Sequence, residues 1–347
     1  MGTGLYRMFK SETKIMEVVT PQGESVRYTI EYRWDPLDAR VSIICSHLKD
    51  KWKTFYSVRD EEWLHKTIES SKEKCPFCKP MLDQIAARFS KSQMDEELIK
   101  SHNIYLFPNL YPRTAFEAVV TSPAAHILDL NRIEVGMIFN FLNASIDCIK
   151  KAYIKNDKLL YPVIGCNYLP PAGASLIHYH MQISIQEFAF PAIDRLIRGS
   201  RNYWNSHHAN YWLDLIEANK DREIALKNNV YWHTPFAPEG FSEVRAIVKR
   251  PTILEFTERD MKDAADGLAR VLKYYNDQGF SAFNFIIYSG RLDSLDQEFF
   301  CGLQIIARPN LRSNYLSIDS WYMPLLLGQT IVLEKPEDLA HDIRNYF

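Results

Sequence analysis

The first half of the chain alternates between short apolar runs and one long segment with helical periodicity. Between residues 133 and 154, apolar side chains recur every three or four positions, which places them on one face of a helix. The short runs around this segment are rich in the β-branched and aromatic residues that favour strands. Together they predict a β-β-α-β-β unit with strands at 103–107, 116–121, 161–166 and 178–185.

The second half repeats this order of elements. A turn segment at 234–238 and a strand at 243–248 precede a helix at 258–276, for which Thr257 is the predicted N-cap. Strands at 282–288 and 300–307 follow. Two such units in tandem predict an α+β fold in which two antiparallel sheets pack against helices. The predicted division is an N-terminal unit at 30–190, a helical, aromatic-rich insert at 191–228 and a C-terminal unit at 229–347.

Composition and charge narrow the class of protein. The 41 basic and 43 acidic residues leave a formal net charge of −2, so no overall basic field favours nucleic acid. No apolar run reaches the ~20 residues of a membrane span, and the polar N-terminus lacks the apolar core of a signal peptide. Four of the six cysteines are isolated, which is typical of reduced thiols. These features predict a cytoplasmic protein that binds neither nucleic acid nor membranes.

Cys75 and Cys78 form the one cysteine motif in the sequence, Cys-Pro-Phe-Cys. In a reduced protein, such a motif is either a redox pair or half of a zinc site. A thioredoxin-like pair needs a βαβ context, which the surrounding pattern does not show. Zinc needs two further ligands, for which His126 and His178 are candidates, but their separation in sequence is too long to decide. Two unligated thiols stay an alternative at this point.

Small residues followed by alternating polar ones mark the strand predicted at 178–185. Side chains two positions apart in a strand share a face, so this strand presents two imidazoles and a carboxamide side by side. Such a row suits a phosphoryl group, because one imidazole can attack phosphorus while neutral donors hold the non-bridging oxygens. The alternative is a half-exposed strand with polar residues on its solvent side. The residues concerned are Gly173, Ala174, Ser175, His178, His180 and Gln182.

This row, with its preceding Gly-x-Ser, resembles the active-site signature of galactose-1-phosphate uridylyltransferases, a branch of the histidine-triad superfamily. Further segments resemble family motifs in the same order, over roughly residues 30–310. They are Arg33-Trp34-Asp35-Pro36-Leu37 with Ser46-His47 through Trp52, Cys75 to Cys78, Leu106-Phe107-Pro108-Asn109, Ser122-Pro123 to His126, and Asn167 six residues before Gly173. The joint order is far more specific than any one motif. The resemblance implies a tandem pair of histidine-triad-like units, of which the second is degenerate.

The resemblance also implies roles for individual residues. His180 would be the nucleophile that forms a nucleotidyl-imidazole intermediate, and Gln182 and Ser175 would bind the α-phosphate. Four further residues would contact the substrate: Asn109, Asn167, Gly173 and Ala174. Of these, the two asparagines would lie near the nucleoside and the phosphates. A structural Zn²⁺ would be held by Cys75, Cys78, His126 and His178.

The sequence departs from the family pattern at two places. The resemblance therefore implies the family's chemistry more strongly than its substrate. The family's second metal site uses a His-x-His pair, and the corresponding positions here are Gln304 and Ile306, so we predict that this site is absent. The family's C-terminal Gln-Arg element near the hexose phosphate is also missing, because residues 328–331 run directly to 335–338. This ending is more similar to that of relatives that act on adenylylated substrates, such as ADP-glucose phosphorylase or adenylylsulfate:phosphate adenylyltransferase.

The predicted function is a nucleotidyltransferase or phosphorylase with ping-pong exchange between a nucleotide donor, such as a nucleotide sugar, and a phosphate-bearing acceptor. A homodimer is implied by the resemblance alone. A nucleotide hydrolase would keep the site and use water as acceptor, although hydrolytic members of the superfamily commonly carry a third histidine at the position of Gln182. Two further functions stay open: a catalytically silent, zinc-stabilised nucleotide-binding protein and a redox protein that uses Cys75 and Cys78.

Overall fold

The computed structural model describes residues 8–101, 103–126, 129–294, 296–311 and 321–347. Within these ranges it contains fourteen strands and nine α-helices. None of these helices is long and apolar enough to cross a membrane. The first elements are β1 (Lys10–Val19), β2 (Ser25–Trp34), β3 (Val41–Ile44), α1 (Trp52–Tyr56), α2 (Glu61–Lys72), α3 (Met81–Ile85), β4 (Ile99–Ser101), β5 (Ile104–Pro108), β6 (Phe116–Thr121), α4 (Val135–Lys155), β7 (Tyr161–Tyr168) and β8 (His180–Gln186). The others are α5 (Pro191–His207), α6 (Tyr211–Ala218), β9 (Glu223–Lys227), β10 (Val230–His233), β11 (Val244–Val248), α7 (Glu258–Asp277), β12 (Ala282–Tyr288), β13 (Cys301–Arg308), α8 (Tyr322–Leu327), β14 (Thr330–Val332) and α9 (Pro336–Arg344).

The helices and strands predicted from periodicity in the two units are present, with bounds that shift by at most two residues. Helix α4 buries Ile138, Leu142 and Ile146, which belong to its predicted apolar face. Helix α7 begins after Thr257, whose hydroxyl accepts a hydrogen bond from the backbone N–H of Asp260 at 3.2 Å. The predicted N-cap is therefore confirmed, and the Asp260 side chain completes a capping box.

Ten strands form one continuous antiparallel sheet in the order β4-β5-β6-β8-β7-β12-β13-β11-β10-β9. Strands β7 and β12 join its two halves, from Val163 opposite Tyr288 to Tyr168 opposite Phe283. The predicted tandem α+β fold is confirmed, but the two predicted sheets are a single one. The reason is that each half ends in a strand with unpaired backbone groups, which pairing with the other half satisfies.

Helices cover the two faces of this sheet differently. Helices α4 and α7 pack against one face and against each other, and they enclose the main core. On the other face, α5 and α6 cover the C-terminal half, where Tyr211 and Trp212 pack with Tyr231 and Tyr288. The prediction that the insert at 191–228 is helical is wrong at its end, because Glu223–Lys227 forms the edge strand β9. Pairing with β10 overrides the local sequence preference there.

A second sheet, β1-β2-β3-β14, was not among the predicted elements. Arg33 on β2 donates from its two terminal nitrogens to Glu337 of α9, at 2.9 and 3.0 Å. Ser42 on β3 donates to the carbonyl of Pro238 at 2.5 Å. Strand β14, near the end of the chain, pairs in parallel with β3. These contacts fasten the early and late segments of the chain to the C-terminal half.

Candidate active site and metal centre

Two cysteines and two histidines from distant segments converge beside the start of β8. Cys75 and Cys78 lie between α2 and α3, His126 follows β6, and His178 directly precedes β8. Their ligand atoms all lie within 4.8 Å of one another. The Nδ1 of His178 is 3.3 Å from the Sγ of Cys75 and 3.6 Å from that of Cys78. The Nδ1 of His126 is 3.4 Å from the Cys78 sulfur. The fold thus assembles the four predicted metal ligands.

The geometry of this cluster fits zinc. Zn–S bonds of about 2.3 Å and Zn–N bonds of about 2.0–2.1 Å place sulfur and nitrogen about 3.5 Å apart in a tetrahedral site. The Nε2 of His178 donates to the Ser122 carbonyl at 2.9 Å, so its Nδ1 presents a lone pair to the sulfurs. The Nε2 of His126 is likewise held, at 2.9 Å from the Ser71 hydroxyl. Such outer hydrogen bonds are typical of metal-binding histidines.

Burial decides which protonation states this cluster can adopt. Burial lowers the pKa of His178 to about 4, so its imidazole is neutral at pH 7. Burial and the nearby Cys75 raise the pKa of Cys78 to about 12. Two thiols in such a place stay protonated unless a cation stabilises the thiolates, which a divalent metal does. Neutral imidazoles and paired thiols are therefore well suited to hold Zn²⁺.

His180 is the first residue of β8 and lies next to the metal cluster. Its side chain is buried, with 8% of the residue exposed, and burial lowers its pKa. Its Nδ1 lies 2.7 Å from the carbonyl oxygen of His178, which can only accept a hydrogen bond. Nδ1 therefore carries the proton, and Nε2 presents its lone pair. The ring of Phe77, between the two cysteines, contacts His180 and His178 edge-on, at 5.3 and 5.7 Å between centroids.

The register of the sheet places a gap beside His180. Gln182 pairs with Val119 on one side and Gly165 on the other, so all three lie on the same face of the sheet. Continuing the β7–β8 register brings Asn167 opposite His180. Because Gly165 has no side chain, the face is open between these polar residues. A phosphoryl group can approach the backbone there.

A buried carboxylate links two of the predicted site residues. The side chain of Glu117 on β6 is fully buried and accepts hydrogen bonds from Asn109 at 3.0 Å and from the backbone N–H of Arg113 at 2.6 Å. The Arg113 guanidinium also bonds to Glu117 and donates to Oε1 of Gln182 at 3.4 Å. Burial alone would raise the pKa of Glu117, but these bonds and the Arg113 charge lower it. The carboxylate is therefore ionised and anchors this side of the site.

The C-terminal half supplies the opposite side of the site. Asn284 on β12 lies opposite Asn167 and donates from Nδ2 to its Oδ1 at 2.6 Å. The same Nδ2 donates to the carbonyl of Ala172 at 2.8 Å. Arg308 on β13 donates to the carbonyl of Pro171 at 3.1 Å. Two strands of the second unit thus hold the turn that leads into β8.

That turn contains the remaining predicted site residues. Gly173 has a φ of +83°, which favours glycine, and the backbone N–H of Ala174 donates to the carbonyl of Leu169 at 3.3 Å. Ser175 is exposed. Among the residues that the structure describes, no hydrogen-bond partner occurs for the Ser175 hydroxyl, the Nε2 of Gln182 or the Nδ2 of Asn167. These three donor groups are therefore not engaged by the described part of the protein.

The two positions that correspond to the family's second metal site lie on β13. The amide nitrogen of Gln304 donates to Glu239 and Glu243, at 2.9 Å each. Ile306 packs on Gly240 so closely that a Cβ added to this glycine would lie 2.7 Å from the isoleucine Cγ2. An isoleucine side chain offers no ligand atom, so the donor chemistry at this pair does not fit the family's His-x-His.

Three polar residues of the site were not predicted from the sequence: Arg113, Glu117 and Asn284. Glu117 did carry a signal, because it is the one charged residue in the apolar strand β6, and a buried carboxylate needs partners. Arg113 and Asn284 carry no comparable signal. Their importance depends on which side chains they meet, and that is set by strand pairing between distant segments.

No protein-family model matches the chain. An uncharacterised protein of Archaeoglobus fulgidus is 27% identical over 338 residues, which cover 97% of this chain and 98% of that protein. A solved GalT-like protein from Arabidopsis thaliana is 20% identical, with a TM-score of 0.68 over 90% of this chain and 98% of its own. An ADP-glucose phosphorylase from the same plant, with bound ADP-glucose, is 21% identical, with a TM-score of 0.69 over 91% and 98%. A uridylyltransferase structure is 19% identical, with a TM-score of 0.64 over 71% and 85%.

This chain has the uridylyltransferase-like fold. The resemblance predicted from the order of its motifs is thereby confirmed at the level of fold, and the matched structures extend over both units. At these low identities, the fold is what the likenesses establish. The chemistry has to be inferred from the side chains around His180.

Proposed function

We propose that the protein is a nucleotidyltransferase that works through a covalent nucleotidyl intermediate on His180. The observation that carries this proposal is the hydrogen bond from Nδ1 of His180 to the His178 carbonyl at 2.7 Å. It fixes the tautomer in which Nε2 is an unprotonated nucleophile. In this proposal, Gln182 and Asn167, which share a face of the sheet with His180, and Ser175 of the preceding turn donate to the non-bridging oxygens of the phosphoryl group.

In the first step, Nε2 of His180 attacks the α-phosphorus of a nucleotide donor. The N–P bond forms, the bond from phosphorus to the leaving oxygen breaks, and the electron pair leaves with that oxygen. The imidazole becomes positively charged, and its Nδ1–H bond to the His178 carbonyl stabilises this charge. In the second step, a phosphate oxygen of the acceptor attacks the same phosphorus and the N–P bond breaks. A phosphate leaving group needs no strong general acid, so the proposal assigns this role to no residue.

The metal centre serves the reaction by holding its scaffold. Zn²⁺ bound by Cys75, Cys78, His126 and His178 would supply structural stabilisation, because all four positions of a tetrahedral ion are taken by protein ligands. His178 is at once a proposed ligand and the residue whose carbonyl orients His180. The ion would therefore fix the end of β8 on which the nucleophile stands.

The proposed donor is a nucleotide sugar or another adenylyl or uridylyl donor, with sugar phosphate or inorganic phosphate as acceptor. The likeness to an ADP-glucose phosphorylase solved with ADP-glucose supports this class of donor, and the missing hexose-phosphate element in the sequence favours a phosphorylase. The proposal also includes contacts of Asn109, Gly173 and Ala174 with the substrate. It keeps the predicted boundaries of the two units and the insert, at 30–190, 191–228 and 229–347. A homodimer and a cytoplasmic location stay predictions.

Intact-protein mass spectrometry after incubation with UDP-glucose, ADP-glucose and adenylylsulfate, each in turn, tests the proposal. We expect the mass of one nucleotidyl group to be added with one of these donors and to be lost in a His180→Ala variant. The added mass names the base. The same samples are assayed for released product, with and without inorganic phosphate.

Two different outcomes would contradict the proposal. Release of free nucleotide monophosphate without dependence on an acceptor would indicate a hydrolase. Binding of nucleotide to the wild-type protein with neither adduct nor product would indicate a catalytically silent nucleotide-binding protein.

A further inference from the structure

Two carboxamides face His180 on the sheet, and their chemistry depends on which way each is turned. An amide presents donors on its NH₂ side and an acceptor on its oxygen side. Toward a phosphoryl group, the NH₂ side attracts and the oxygen side repels. Neither Gln182 nor Asn167 is useful to the proposed reaction unless a neighbour fixes its orientation.

The hydrogen bonds of Asn284 fix the orientation of Asn167. The carbonyl of Ala172 can only accept, so the Asn284 group that lies 2.8 Å from it is the NH₂ group. The second hydrogen of that NH₂ group points to Asn167 at 2.6 Å, which must therefore present its oxygen. The NH₂ group of Asn167 is then turned away from Asn284. Because the β7–β8 register places Asn167 opposite His180, this group faces the nucleophile.

We propose that Asn284, a residue of the second unit, is a positioning residue for the reaction on His180. It turns the Asn167 amide so that NH₂ rather than oxygen meets the transferred phosphoryl group. This inference rests on the proposed function and deepens it. It gives the second unit, which has Gly302 at the position on β13 that corresponds to His180, a part in the chemistry of the first.

The same contact also holds the backbone that leads to β8. Through the Ala172 carbonyl, Asn284 ties β12 to the turn that contains Gly173 and Ser175. A small shift of such a turn moves the serine hydroxyl relative to His180. Correct alignment of binding groups contributes substantially to rate, and a misplacement of about 1 Å can cost on the order of a hundredfold.

The test uses the rate of adduct formation in a single turnover with the donor that labels the wild-type protein. Asn284→Leu keeps the size of the side chain and removes both donors, and we expect a loss of about tenfold to a hundredfold. Asn284→Asp should lose more, about a hundredfold to a thousandfold, because its carboxylate attracts the NH₂ group of Asn167 and turns the amide oxygen toward the phosphate. The KM for the donor should change much less than the rate.

A double-mutant cycle separates positioning from a structural role. In an Asn167→Ala background, Asn284→Leu should lower the rate by no more than about threefold, because most of its effect passes through the absent amide. Asn229→Leu is the matched control, since Asn229 donates to Asp260 at 3.0 Å outside the site. That change should lower the melting temperature and leave the adduct rate unchanged.

The outcomes distinguish this inference from the proposed function. If the wild-type protein forms an adduct but Asn284→Leu forms it at the same rate, the inference fails while the proposed function stands. An equal loss in the wild-type and Asn167→Ala backgrounds also overturns it. If no donor labels the wild-type protein, the proposed function fails, and this inference fails with it.

Discussion

Glu117 in the first unit and Glu243 in the second are structural counterparts with different surroundings. Each side chain is fully buried, and each accepts a hydrogen bond from the backbone N–H four residues earlier, that of Arg113 and that of Glu239. Two residues after these glutamates, Val119 pairs with Gln182 and Arg245 pairs with Gln304. The two halves of the sheet thus bring a glutamine beside a buried carboxylate at the same place.

The neighbouring charges give the two glutamines opposite orientations. In the first unit, Arg113 takes the oxygen of Gln182 and leaves its NH₂ group free for a ligand. In the second unit, Glu239 and Glu243 both accept from the NH₂ group of Gln304, so its donors are already used. Arginine at this place in one unit and glutamate in the other thus correspond to a glutamine with a free NH₂ group in the first unit and one with an occupied NH₂ group in the second.

The position of the proposed nucleophile shows the same contrast. His180 stands two residues before Gln182, and the corresponding residue before Gln304 is Gly302. A side chain at Gly302 would meet the Tyr288 hydroxyl, because its Cβ would lie 2.2 Å from that oxygen. In the second unit, the ring of Tyr288 fills the space that a histidine would need.

Removal of the metal should produce the largest difference between the two units. Structural zinc contributes about 10–16 kcal/mol in small zinc domains, and here it would hold only the first unit. We expect a strong chelator or Cys75→Ser to lower the free energy of unfolding by several kcal/mol. Hydrogen exchange should then show lost protection in α2, α3 and β8, while β11 and β13 keep theirs. Metal analysis of the purified protein should give one zinc per chain, and equal loss of protection in both units would contradict the comparison.

Loss of the arginine beside each glutamate should have the next largest effect. Arg245→Met leaves the fully buried Glu243 and the half-buried Glu239 without their shared cation, which costs about 3–5 kcal/mol. Arg113→Met should cost about 1 kcal/mol or less, because the Arg113 side chain is 65% exposed and Glu117 keeps Asn109 and a backbone donor. Chemical denaturation of both variants measures these losses in the free energy of unfolding. Similar losses would show that the two carboxylates have equivalent surroundings after all.

His233 should give the second unit a pH dependence that the first unit lacks at the same position. His233 pairs with Arg245 as Phe107 pairs with Val119. Burial, with the nearby Arg245, lowers the pKa of His233 to about 3 from its usual 6.5. Below pH 6.5, His233 is protonated in the unfolded chain and stays neutral in the folded protein. The free energy of unfolding therefore falls as the pH falls towards 3.

The measurement compares the wild-type protein with His233→Phe at pH 7, 6 and 5. We expect the free energy of unfolding of the variant, relative to that of the wild type, to rise by up to about 1.4 kcal/mol for each pH unit below 6.5. At pH 7, where His233 is neutral in both states, this contribution is absent. A constant difference between the two proteins over this range would show that His233 is protonated in the folded state.

The sequence by itself determined the central elements of both units and suggested the chemistry proposed for the first. Apolar periodicity located the long helix and the flanking strands of each unit, because side-chain alternation depends only on the local backbone. The small-residue turn before alternating histidines indicated the reactive strand, and the order of motifs indicated the fold. The family resemblance also named the four metal ligands, a choice that the spacing of the cysteines and histidines alone left open.

Only the tertiary structure decided how the two units are joined and what surrounds the nucleophile. The pairing of β7 with β12 brings Asn284 to Asn167, and the pairing of β6 with β8 brings Glu117 and Arg113 to Gln182. Neither neighbour is encoded by local periodicity. The physical reason is that a hydrogen-bonded amide is oriented by whichever donor or acceptor lies across from it, and in a sheet that partner belongs to another strand, distant in sequence.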